Sequence, residues 1–83
     1  MQTLYLDPSR YPTPRALHAA LKAMLSLPGW YGMNADALHD CLSERREPVN
    51  LWLASPGEGE VARALDTVCA VVEDLGGKVT QLF

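Results

Sequence analysis

Cysteine is scarce in this chain, and the two present, Cys41 and Cys69, form no C-x-x-C pair. That arrangement argues against a zinc site or a disulfide framework and fits reduced, buried thiols in a cytoplasmic protein. Basic residues are outnumbered, with seven Lys and Arg against ten Asp and Glu and a net charge of −3. A protein that grips nucleic acid through its phosphates needs the opposite balance, so no nucleic acid is expected and a basic partner is. No apolar run approaches the roughly 18 residues of a membrane span, and Met1–Arg10 has no basic segment leading into an apolar one. Neither a membrane association nor a secretion signal is expected. Repeats and low-complexity tracts are missing too. With 83 residues in total, the chain has room for one domain, 1–83, and one modest core. Domains of this size bury only about 60% of the surface their unfolded chains expose, which argues against a deep catalytic pocket.

The residues that are present punctuate the chain clearly. Thr3–Leu6 is β-prone and stops at Asp7-Pro8, a turn signal that cannot continue a sheet ladder. Thr13-Pro14 then reads as an N-cap with proline at the first helical position, and Leu17, Ala20, Leu21, Met24 and Leu25 make one apolar helix face that must end before Pro28. After the aromatic loop Trp30-Tyr31-Gly32-Met33, Asn34 is the natural N-cap of a second helix, expected to run to about Arg46 with Arg45 and Arg46 in its last turn. Val49–Ala54 is apolar apart from Asn50 and reads as a strand covered on both faces. A long helical stripe at 61, 65, 68, 72 and 75 ends at Gly76-Gly77, and Lys78–Phe83 supplies the last strand. The order is β-α-α-β-α-β. Each strand-to-strand connection carries a helix, which favours parallel pairing with right-handed crossovers and a small three-stranded α/β domain.

Asp36, Asp40 and Glu44 recur every fourth residue, so they line one side of the second helix, opposite the Leu38, Cys41 and Leu42 face. Like charges spaced this way cost a helix about 0.2–0.5 kcal/mol per pair. Only Asp36, in the first turn, recovers part of that cost from the helix dipole. An ordinary solvated face is the plain alternative. Against it stands the aromatic loop immediately before the acidic row, since Trp30 and Tyr31 either fold over the core or await a partner. As paired carboxylates of an enzyme, Asp36 and Asp40 lack a cleft to shift their pKa values, and His39 points about 100° away from Asp40. His18, alone on the first helix, reads as a partly covered surface histidine. No catalytic residue, cofactor site or metal site is expected.

The stretch from Leu27 to Leu42, LPGWYGMNADALHDCL, resembles the signature of the barstar family, intracellular inhibitors of the secreted ribonuclease barnase. In that family the pattern runs approximately L-P-x-aromatic-Y-G-x-N-x-D-A-L-x-D-x-L, and every fixed element is present here. The resemblance implies the barstar-like fold, with parallel strands in the order 1-2-3. It also implies a monomeric inhibitor whose partner is a basic, barnase-like ribonuclease, with carboxylates standing where RNA phosphates would bind. By carry-over, Asp40 is the central anchor and Asp36 its companion. Trp30, Tyr31, Gly32 and Asn34 form the contacting loop, while His39 and Glu44 complete the face.

Departures from the pattern bear on the target. His39 stands where the family commonly has tryptophan, and Arg45 lies near another tryptophan of its best-known member. The family's further acidic contact on the last helix falls on Val71, with Asp74 the nearest substitute. The rival function is a binding or immunity module of the same fold whose basic partner is not a ribonuclease, because an acidic face suits any cationic surface.

Overall fold

Alternation of side chains builds the first two strands. In β1 (Gln2–Leu6) Leu4 and Leu6 point into the core while Thr3 and Tyr5 point out, and in β2 (Val49–Leu53) Val49, Leu51 and Leu53 point in. Between them lie a single 3-10 turn at Pro8–Arg10 and two helices, α1 (Pro14–Leu25) and α2 (Ala35–Ser43); α3 (Gly59–Asp74) and β3 (Val79–Gln81) complete the chain. The computed structural model describes residues 2–83. All pairings are parallel in the order β1-β2-β3, with Leu51 between Leu4 and Val79, and Trp52 between Tyr5 and Thr80.

That order decides where the core sits. Right-handed crossovers that step the same way from β1 to β2 and from β2 to β3 place every helix on one face of the sheet. Leu17 and Leu21 of α1, Leu38 of α2 and Val68 of α3 are all buried with Leu6 and Leu51 in this single layer. The other face has no cover. Trp52 is therefore 48% exposed and Tyr5 still more so, which corrects the expectation that the second strand is covered on both sides.

Two element ends also differ from expectation. The second helix stops at Ser43 rather than near Arg46, because the Arg45 N–H tightens onto the Leu42 carbonyl at 3.1 Å as the chain swings toward Pro48 and β2. β3 is short, although the Leu82 N–H adds one more bond to the Leu53 carbonyl at 2.8 Å. The turn before β3 requires glycine twice. Gly76 has φ of 91°, and a Cβ on Gly77 would collide with the Val49 carbonyl oxygen.

Candidate partner-binding face

The face is built outward from the cap of α2. Thr13 and Asn34 cap α1 and α2 in the same manner, with Asn34 Oδ1 accepting the Ala37 N–H at 2.8 Å. The Asn34 side chain also donates from Nδ2 to the Gly32 carbonyl at 3.1 Å, so one residue closes both the loop and the helix start. A methyl group at Gly32 would stand 3.2 Å from that amide nitrogen and crowd it. Met33 takes a left-handed conformation, φ 56°, to bring the chain into the cap.

Before this cap, the Tyr31 N–H bonds to the Pro28 carbonyl at 3.0 Å, closing a turn that carries Trp30 at its outer corner, 67% exposed. Tyr31 does the opposite. It is 4% exposed, and its hydroxyl lies 2.6 Å from Nδ1 of His18 and 3.5 Å from the Asn34 carbonyl oxygen, toward which it can donate. Tyr31, expected in the contacting loop, thus folds its ring over the core, and its hydroxyl is occupied within the chain. His18, expected at the surface, is 5% exposed. Burial, with a smaller push from Cys41 once that thiol ionises at high pH, drives the Tyr31 phenol up to about 12, and burial lowers His18 from its ordinary 6.5.

Asp36 and Asp40, on the side of α2 away from Leu38, Cys41 and Leu42, and Glu44, at its C-cap, are all exposed. Successive members stand about 6 Å apart along the axis, given a rise of 1.5 Å per residue. Among the described residues no ion pair or hydrogen bond within the chain engages any of the three carboxylates. Their field reaches inward as well: burial first, then the charges of Glu44 and Asp40, raise the Cys41 thiol above its ordinary value. Cys69, half-buried on α3, is pushed up to about 11, by burial and then by Glu73 and Asp66. Both thiols are free and protonated, hence weak nucleophiles. His39 is half-buried beside the acidic ridge.

The departures noted in the sequence find physical places. Arg45 does not project into the ridge: its guanidinium donates to the Leu25 carbonyl at 3.2 Å and to Gln2 Oε1 at 3.0 Å. It thus serves the negative end of α1. Val71 is buried in the core and Asp74 is exposed at the end of α3. His18 is the residue that sequence reasoning missed, and a signal existed, for His18, Leu21 and Leu25 share the i, i+3, i+7 spacing of the core face.

The ridge is convex. A groove between the loops after β1 and β2, lined by Pro8, Tyr11 and Pro56, includes none of its residues. No group of three His, Cys, Asp or Glu among the described residues is placed to hold a metal ion, and no helix there is long and apolar enough to cross a membrane. An unpaired acidic ridge beside a projecting tryptophan is suited to meeting a cationic protein surface rather than to turning over a small substrate.

Comparison with known families gives a match to "Barstar (barnase inhibitor)" over residues 1–81. No curated protein matches the chain. The chain belongs to the barstar family.

Proposed function

From that membership we propose that the chain inhibits a basic, barnase-type ribonuclease by covering its active site with α2 and the loop before it. The supporting observation is the row Asp36, Asp40 and Glu44, exposed and without partners in the chain, beside the exposed Trp30. An enzyme that cleaves RNA must gather Arg, Lys or His around its phosphate sites. Carboxylates at phosphate-like spacing take those sites by charge-assisted hydrogen bonds. Asp40, at the middle of the ridge, meets the most cationic and most fully desolvated point; Asp36 and Glu44 flank it, and His39 borders the contact.

The same charge distribution serves the encounter. A net −3 chain approaching a basic enzyme is steered before any contact forms. Trp30 then supplies apolar area that a charged ridge lacks, while Gly32 and Asn34 hold the loop in shape. Action in the cytoplasm, against leaked or unexported nuclease, fits a protein with two free thiols.

The test is titration of RNA cleavage by small basic ribonucleases, barnase included, with the purified chain and with Asp40→Ala. Stoichiometric loss of cleavage by the chain, relieved in the variant, is expected. Tight binding that leaves cleavage intact would instead identify a binding or immunity module with a different role.

A further inference from the structure

Helix α2 leans mainly on α3. Its link to α1 near its first turn passes through a buried polar relay. His18 Nδ1 and the Tyr31 hydroxyl are 2.6 Å apart, that hydroxyl faces the Asn34 carbonyl at 3.5 Å, and the same carbonyl accepts the Leu38 N–H at 3.0 Å. Asn34 also caps Ala37 and ties back to Gly32. One imidazole in the core thus holds, through one tyrosine, both the turn that projects Trp30 and the turn that projects Asp36.

We propose that His18 is a positioning residue for the binding face: in its neutral form it grips Tyr31 and locks residues 30–38 as presented, and on taking up a proton it releases them. This rests on the reading above for its functional meaning, but the locking itself is a property of the free chain. The chemistry follows from the surroundings. Tyr31, from the loop, is the titratable group in contact with the ring, and it is a neutral phenol at physiological pH. Cys41 of α2, a protonated thiol, lies near Tyr31, and the α2 carboxylates Asp36 and Asp40 point to solvent. The other histidine, His39, sits on α2 itself. Burial is the influence that acts on the His18 ring, with no opposing carboxylate. An imidazolium there would be a buried charge without a counter-ion, which is stable only if the loop opens and water enters.

The sign of the effect is fixed by linkage. The locked state binds the proton less readily than the opened state, whose histidine titrates near the ordinary 6.5. Locking is therefore intact above about pH 6.5 and weakens as pH falls below it. One unit below that value, opening is favoured by up to about tenfold.

Hydrogen exchange on the free chain tests this, following the Tyr31, Ala37 and Leu38 amides against those inside α3, corrected for the intrinsic pH dependence of exchange. Between pH 7.5 and 5.5 the three amides should open up to about tenfold more often while α3 holds. In His18→Asn, whose amide can still bond Tyr31 but does not titrate, protection at pH 7.5 should persist and the pH response vanish. His18→Leu should lose the protection at both pH values. An equal pH response in His18→Asn and the natural chain, or full protection in a folded His18→Leu, would overturn the inference. Failure of the natural chain to inhibit any ribonuclease would instead remove the inhibitor reading and leave these exchange results standing.

Discussion

Trp30 and Trp52 are both exposed, at 67% and 48%, yet they stand in unlike surroundings. Trp30 projects from a turn next to a helix face of three unpartnered carboxylates. Trp52 stands on the open sheet face between Tyr5 and Thr80, with no charged residue in its row. Exposed aromatic area is common to the two regions, so exposure cannot be what marks a binding face. The marks are the accumulated charge of one sign, tolerated at a cost in helix stability, and a buried relay that holds the loop. The sheet face has a topological origin instead: two crossovers stepping the same way leave it bare.

The hardest test of that contrast is Asp40→Ala. If Asp40 is buried against cationic groups in the complex, removing it leaves those charges uncompensated, a loss of about 3–5 kcal/mol and so a hundredfold or more in affinity. The stability of the free chain should stay within about 0.5 kcal/mol, since the side chain is exposed and bonds to nothing within it. Asp36→Ala should cost less affinity, being nearer the edge. Isothermal titration and urea unfolding measure the two quantities. A loss below threefold for Asp40→Ala would dissolve the distinction between the regions.

Salt gives the next largest effect. Steering acts between exposed charges and is screened beyond about 10 Å at 0.1 M ionic strength. The association rate in stopped flow should fall about tenfold or more from low salt to 0.5 M, with dissociation much less affected. A salt-independent association rate would transfer the weight of the interface from the ridge to apolar surface, Trp30 and the sheet face included.

A smaller effect separates the two regions by what lies beneath them. Tyr31 under the Trp30 turn has its phenol pushed from 10.0 up to about 12. A raised pKa means that the fold prefers the protonated phenol. Its contribution is whole below pH 10 and is lost as pH climbs from 10 toward 12. Tyr31→Phe forfeits the His18 hydrogen bond, about 1 kcal/mol at neutral pH. The gap in urea midpoint between the chain and Tyr31→Phe should therefore narrow above pH 10. A gap that stays constant to pH 11.5 would mean the hydroxyl is not held as the structure places it.

The same residues show what could be read beforehand. Element order, parallel pairing and the acidic ridge were legible because caps, prolines and spacing are local signals: Thr13 and Asn34 cap, Pro14 opens α1, and every fourth residue from Asp36 shares a side. The inward turn of Tyr31 and the burial of His18 depend on a contact between residues 13 apart in sequence, which no local pattern encodes. The exposure of Trp52 is a different case. An apolar run such as Val49–Ala54 reads the same whether helices cover one face of the sheet or both, and only the direction of the two crossovers decides. Arg45 was misplaced for a similar reason, since its guanidinium answers to the end of α1 rather than to its own helix.

The smallest expected effect is the most pointed, because it concerns the region given no role. Threonine, β-branched, favours strands as the aromatic tryptophan does, so Trp52→Thr preserves strand propensity and loses chiefly the side-by-side pairing with Tyr5. Cross-strand aromatic pairs contribute about 0.2–1 kcal/mol. Burial adds little here, since the ring is half in water in the folded chain already. Urea unfolding should thus show a loss within that range, and affinity for the ribonuclease should stay within twofold. Because the open face is opposite the helices, no residue of α2 moves when the ring is removed. A drop in affinity of tenfold or more for Trp52→Thr, at intact stability, would place the sheet face inside the interface and reverse the assignment of the two tryptophans.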